Sequence, residues 1–280
     1  MEHFLQALLL GLVQGLTEFL PISSSAHIRL VALFFPHANG KEFDPGAAFT
    51  AIIQLGTELA VLIYFWKDVS RIVSRWFLSL FGRYDRKSPD VRMGWLVVIG
   101  TFPILIVGVL TQKLISTDFR SLWLLATVFI VFGVVLGVFD RVGRKQFAFE
   151  QMKYSHGIGI GIAQILALVP GVSRSGATTS AALALGYTRP AAARFSFLLA
   201  IPAVFGSGLF EAYQAIHSHA HNPYSWADTG AATVVAFVVG FVVIAFFMNY
   251  IAKRSFMPFV VYRIVLGIVL FVLLGLGVIG

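Results

Sequence analysis

The chain contains no cysteine. That excludes disulfides, thiolate nucleophiles and cysteine-ligated metals. Charge is also scarce: 12% of the 280 residues are Asp, Glu, Lys or Arg, against about 25% in an average soluble domain. Acidic residues are the rarer sign, 13 against 21 basic, for a net charge of +8. No basic leader with a small-residue cleavage pattern opens the chain, which begins Met-Glu2-His3, so no cleavable signal peptide is expected. Apolar residues take up what charge leaves: 58% of the chain is hydrophobic and 27 residues are Phe. A soluble domain of this size has too little interior for that surface, and lipid is its natural solvent. The basic excess does not point to nucleic acid, because it clusters in loops between apolar stretches, as the positive-inside rule expects of a membrane protein.

Six stretches are long enough to cross a bilayer, which takes roughly 17–25 helical residues: 46–66, 93–112, 121–140, 193–211, 229–251 and 257–279. Two more, 4–34 and 155–187, are interrupted by Pro and Ser, at Leu20-Pro-Ile-Ser-Ser-Ser-Ala-His27 and Val169-Pro-Gly-Val-Ser-Arg-Ser175. Proline breaks a helix and serine caps the next one. Each stretch therefore reads as a re-entrant helix–break–helix hairpin. The expected fold is an all-α polytopic membrane protein, one integral membrane domain over 1–280, with six transmembrane helices and two re-entrant hairpins.

Basic residues orient this scheme. The loop 67–92 holds Lys67, Arg71, Arg75, Arg83, Arg86, Lys87 and Arg92; the loop 141–153 holds Arg141, Arg144, Lys145 and Lys153. With Arg189, Arg194, Lys253 and Arg254 they fall on one side, the cytoplasmic one, and only Lys41, Lys113 and Arg120 fall in outer loops. The two halves, approximately 1–145 and 150–280, then become inverted repeats. Gly11, Gln14, Leu16, Ser23 and Ser25 recur at Gly161, Gln164, Leu166, Ser173 and Ser175, a constant shift of 150. Paired broken helices in inverted repeats place a site at the repeat interface near mid-membrane.

Ionisable groups inside apolar segments are functional candidates by default. Here they are Glu18, His27, Arg29, Glu58, Arg174 and Arg263. Gln14 and Glu18 share a helix face one turn before the first break, and their oxygens suit Mg²⁺ or Ca²⁺. Ser23, Ser24, Ser25 and His27 follow at the break. The second break supplies Ser173, Arg174, Ser175, Thr178 and Thr179. A helix N-terminus there and a guanidinium fork suit phosphate oxygens. Gln54 and Glu58 form another i, i+4 pair, either ligands or an inter-helix hydrogen bond. Arg263, beside Tyr262, is expected to pair with a carbonyl or carboxylate. His217, His219 and His221 alternate in a short outer loop, where solvation is the plainer reading than a metal cluster.

These residues carry a resemblance. Gln14-Gly-Leu-Thr-Glu18-Phe-Leu-Pro-Ile-Ser-Ser-Ser-Ala-His27 and Pro170-Gly-Val-Ser-Arg174-Ser-Gly-Ala-Thr178 resemble the E/Q-x-x-x-E and P-G-x-S-R-S-x-x-T motifs of the bacitracin-resistance family of undecaprenyl-diphosphate phosphatases. Ile53-Gln-Leu-Gly56, Phe195-Ser-Phe-Leu-Leu-Ala200 and Ser255-Phe-Met-Pro-Phe259 extend the likeness over nearly the whole chain. Two positions depart from the pattern. Ser25-Ala26 stands where Thr-Gly is common, and Glu58 stands where an apolar residue is expected, so no role carries over to it.

The resemblance implies hydrolysis of undecaprenyl diphosphate to the monophosphate in the bacterial inner membrane, recycling the lipid carrier for peptidoglycan synthesis and conferring bacitracin resistance. On that basis Ser24 is the expected nucleophile, His27 the general base or acid, and Glu18, helped by Gln14, the ligand of a divalent cation. Arg174 would act in catalysis and bind phosphate with Ser23, Ser25, Ser173, Ser175 and Thr178; Gln54 and Glu58 are additional candidates. The site is expected to open to the outer side. Expected partners are a polyprenyl diphosphate lipid and the bilayer, with homodimerisation left open and no nucleic acid. A polyprenyl-phosphate flippase is the alternative, since inverted repeats with broken helices are also transporter architecture and such a protein would need the same phosphate site.

Overall fold

The structure is a computed structural model that describes residues 2–35, 43–117, 121–217 and 223–279, with the side chains of 112–117 excepted. Lys41, Arg120, His219 and His221, and the side chain of Lys113, therefore lie outside the described residues. Among the described residues the regular secondary structure is helical, with a single isolated bridge between Phe147 and Tyr187.

The six apolar stretches form α3 (Ala47–Tyr64), α5 (Pro89–Thr117), α6 (Leu122–Val142), α9 (Arg189–His217), α10 (Trp226–Lys253) and α11 (Met257–Gly275). All six are long and apolar enough to cross a membrane, so the chain is a multi-pass membrane protein. Hydrophobic side chains such as Val109, Leu110, Val234 and Val242 cover their outward faces, as lipid contact requires. Helices α5 and α9 outrun the apolar windows, because a helix continues through polar ends once its apolar middle is set. Pro103 and Pro202 sit inside them without ending them; neighbouring helices in a membrane re-satisfy the freed backbone groups.

The remaining helices are α1 (Glu2–Thr17), α2 (Ser24–Ala32), α4 (Trp66–Leu80), α7 (Tyr154–Gln164) and α8 (Arg174–Ala184). Helices α1 and α2 flank the first break, and α7 and α8 the second, with a 3₁₀ turn at Ile165–Leu168. Helix α4 corrects the sequence reading. The stretch 67–92, taken as a basic loop, contains a full amphipathic helix, with Ile72 and Ser79 buried. Its arginines are committed inward as well as outward. Arg71 binds Asp68 at 3.0 Å and Asp90 at 3.2 Å, Arg75 also pairs with Asp90, and Arg194 from α9 reaches Asp68 at 2.5 Å. A reading by charge alone misses a helix whose basic face is paired.

Packing is reciprocal between the halves. Helix α1 packs on α10 and α7 on α5, while α3 meets α9 and α6 meets α11. Glycine permits the first two contacts. A Cβ on Gly11 would lie 2.4 Å from the Ala232 carbonyl oxygen, and one on Gly161 2.5 Å from that of Gly100. Close backbone approach through small residues is how helices associate where water provides no drive. Both glycines belong to the set related by the shift of 150.

Candidate active site

The breaks form where the backbone cannot continue a helix. Pro21 lacks an N–H, and Gly171 takes φ +93°. Each break then ends on a serine with positive φ, Ser23 at 74° and Ser173 at 72°, a region sparsely populated by residues with a side chain and costing about 1–3 kcal/mol each. Those serines are the N-caps of α2 and α8. Ser173 Oγ accepts the Gly176 N–H at 3.1 Å. Ser23 makes no side-chain cap; its hydroxyl lies 3.3 Å from Ser25 Oγ, matching the 3.1 Å between Ser173 and Ser175.

Broken backbone inside apolar surroundings leaves carbonyls that need donors. Arg263 of α11, fully buried, supplies them. Its Nη1 donates to Pro21 O and Val172 O at 3.0 Å each, and its Nη2 donates to Gly171 O at 2.7 Å and Val128 O at 3.3 Å. Its Nε donates to Phe129 O at 3.3 Å. Ser175 Oγ adds a bond to Leu20 O at 3.3 Å. One side chain thus ties both breaks together, and the expectation of a carbonyl partner for Arg263 is met several times over.

With the breaks held, the ends of α1, α2 and α8 converge on Glu18. Its Oε2 accepts from Ser24 Oγ at 2.5 Å and Gln14 Nε2 at 2.8 Å; its Oε1 accepts from Arg174 Nη2 at 2.6 Å and Gln54 Nε2 at 3.0 Å. The carboxylate is buried, Ser24 half-buried and Ser25 exposed. A hydroxyl against a carboxylate can serve as a nucleophile with a proton acceptor. A guanidinium fixed on the same carboxylate by Nη2 leaves the rest of its fork for an anion.

The structure thus brings together Gln14, Glu18, Ser24, Gln54 and Arg174 from four helices and a break. Ser24 and His27 are not hydrogen-bonded to each other. His27 Nδ1 lies 2.7 Å from Ser23 O and Nε2 2.7 Å from Tyr262 Oη. A carbonyl only accepts, so Nδ1 carries the proton, and Nε2, accepting from the Tyr262 hydroxyl, is the basic atom of the ring. Thr178 is buried, its hydroxyl bonded to Arg174 O at 2.8 Å and Ser196 Oγ at 2.5 Å. It therefore supports the α8 start from behind. His217 Nδ1 bonds its own helix at Tyr213 O, and no cluster of three His, Asp or Glu that could hold a metal occurs among the described residues.

Residues 7–269 match the model of the family described as bacitracin resistance protein BacA. The chain belongs to this family. It is 56% identical over 278 residues to a protein of Paenarthrobacter aurescens (strain TC1), with 99% of each chain covered. It is 57% identical over 277 residues to one of Micrococcus luteus, again with 99% of each covered. It is 58% identical over 276 residues to one of Clavibacter michiganensis subsp. michiganensis, covering 99% of this chain and 98% of the other. All three relatives carry the name undecaprenyl-diphosphatase. The resemblance read from the two motifs is therefore membership of the BacA family along the whole chain.

Several groups in this BacA-family site escaped the motif reading. Tyr262 partners His27, Thr57 Oγ1 accepts from Gln14 Nε2 at 3.3 Å, and Ser196 backs Thr178. Their signal was faint but present, each a hydroxyl in an otherwise apolar helix. Asp140 is also buried, accepting Arg189 Nε at 2.5 Å and the Phe256 N–H at 3.0 Å, and it joins the ends of three segments. Nothing in the sequence pattern distinguished it from an ordinary loop acid.

Proposed function

We propose that this chain is an undecaprenyl-diphosphatase of the bacterial inner membrane. It would hydrolyse undecaprenyl diphosphate to undecaprenyl phosphate and inorganic phosphate, recycling the carrier lipid for peptidoglycan synthesis and conferring bacitracin resistance. The observation that carries this reading is the Ser24–Glu18–Arg174 contact. A flippase needs a phosphate site, but it needs no hydroxyl aimed at a buried carboxylate.

In this reading Ser24 Oγ attacks the terminal phosphorus and passes its proton to Glu18. The phosphoanhydride bond breaks and undecaprenyl phosphate departs. His27 Nε2, once exchanged from Tyr262, takes a proton from the water that attacks the phosphoserine; the Ser24 O–P bond breaks, Glu18 returns its proton to the Ser24 oxygen, and phosphate leaves. Arg174, the start of α8 and the hydroxyls of Ser23, Ser25, Ser173 and Ser175 would hold the phosphate oxygens, with Thr178 backing Arg174 from behind rather than touching phosphate. Gln14 and Glu18 would hold Mg²⁺ or Ca²⁺, which supplies positive charge against the diphosphate. Phosphoryl transfer depends mostly on such positioning and neutralisation.

Purified protein in detergent should release phosphate from undecaprenyl diphosphate. Excess chelator should abolish that release, and added Mg²⁺ or Ca²⁺ should restore it; unchanged turnover in chelator would refute the cation. Arg174→Lys keeps the charge and loses the fork. We expect turnover more than about tenfold lower, equivalent to about 1.4 kcal/mol of transition-state stabilisation. A Lys variant at normal turnover would show that charge alone suffices.

The reading also places the two hairpins as inverted repeats re-entering from opposite faces, with the site open to the periplasmic side. The cysteine-free chain makes this testable. Ser25→Cys, at an exposed position beside Ser24, should react in intact cells with a thiol reagent that cannot cross membranes. Labelling only from the cytoplasmic side would reverse the orientation.

A further inference from the structure

Helix α3 presents a carboxylate that the reaction above leaves idle. Glu58 is fully buried, and neither of its oxygens has a hydrogen-bond partner. Arg174 Nη2 lies 3.6 Å from its Oε2, too far for a hydrogen bond, and that nitrogen is already committed to Glu18 at 2.6 Å. Burying an ionised carboxylate costs several kcal/mol unless an opposite charge and donors meet it. Two carboxylates here share one guanidinium, and the other arginine of the site, Arg263, is spent on backbone carbonyls. An ionised Glu58 would therefore need a further positive charge in the cluster.

The two carboxylates differ in what they have left to offer. Glu18 already accepts from four donors, which fills the lone-pair sites of a carboxylate. Glu58 has both oxygens open. Gln14 presents an amide at the first position of a motif that admits Glu or Gln. Its Nε2 lies 3.3 Å from the hydroxyl of Thr57, the neighbour of Glu58. Residues 14 and 58 thus reach the same corner of the site from facing helices.

We propose that Glu58 is a ligand of the divalent cation, and that it supplies from α3 the second carboxylate that Gln14 does not supply from α1. The cation would be held by Glu58 from α3, with Glu18 exchanging one of its four donors to join it. Its charge offsets the unpaired carboxylate, and its remaining coordination positions accept diphosphate oxygens. This deepens the reading above and rests on it, since it presumes a site that works with a cation.

The test is calorimetric titration of Mg²⁺, and separately of Ca²⁺, into detergent-purified protein stripped with chelator, together with melting temperatures in chelator and in excess cation. Wild type should bind and be stabilised by the cation. Glu58→Gln should melt no lower than wild type in chelator, bind at least about tenfold more weakly, and lose the cation-induced stabilisation. Gln14→Glu/Glu58→Gln, which moves the carboxylate back to α1, should recover most of the affinity. Glu58→Leu, carrying the kind of apolar residue expected at this position, serves as a second variant should Glu58→Gln fold poorly. Cation affinity equal to wild type in either single variant would overturn the assignment of Glu58 while leaving the cation reading intact. Absence of cation binding by wild type would remove both. A double variant as weak as the single would retain Glu58 as ligand and overturn its exchange with position 14.

Discussion

Ser24→Ala will be folded and nearly inactive, with phosphate release at least about a thousandfold below wild type. The hydroxyl makes one hydrogen bond, to the Glu18 carboxylate, so its loss costs about 1.5–3 kcal/mol of stability. Ser24 is not a cap; Ser23 and Ser173 occupy those positions. A small structural cost with a large kinetic one is the signature of a nucleophile. Ser23→Ala and Ser25→Ala should lose less, because their hydroxyls face each other rather than the carboxylate. His27→Ala should be comparably damaged. Adding it to Ser24→Ala should make little further difference, because residues acting as one unit are not additive. Phosphate release and melting temperature, measured on the same preparations, separate the effects. Substantial turnover in Ser24→Ala would move the attack to water or to a neighbouring serine.

Arg263→Met should collapse the stability of the protein rather than its chemistry. The substitution fits an apolar site but strips donors from five buried carbonyls, at Pro21, Val128, Phe129, Gly171 and Val172. Leaving a buried network without its charged partner costs about 3–5 kcal/mol, which corresponds to a drop on the order of 10 °C in melting temperature for a chain of this size. Arg263→Lys should rescue little of it, since one ammonium cannot span both breaks. A Lys variant melting within a few degrees of wild type would show that the breaks are held by their own turns.

How far the sequence anticipates this arrangement depends on the kind of signal. The six long helices were legible because lipid demands unbroken apolar runs, and the two breaks because proline ends a helix and the serine after it starts the next. Helix α4 was illegible to a reading by charge: its arginines pair with Asp68 and Asp90, and the helix shows only in periodicity. The partners within the site were harder still. Gln14 and Glu18 announce themselves four residues apart, but the contact of Glu18 with Arg174 spans 156 positions and that of His27 with Tyr262 spans 235. Such pairs exist only once the two halves dock. Arg263 could be read as a residue needing a carbonyl, yet not as one serving both breaks, because its carbonyls belong to three separate segments.

The Arg263 guanidinium also constrains how this molecule can move. It bonds to carbonyls from both halves at once, and Ser175 crosses to Leu20 beside it, so the halves are stitched along a seam at the two breaks. A machine that carried headgroups across by rocking one half against the other would unpick that seam in every cycle. Each carbonyl exposed to hydrocarbon on the way would cost about 1–3 kcal/mol. A hydrolase needs no such excursion. Removing a phosphate at the site breaks none of the Arg263 bonds, so the seam can stay closed through that chemistry.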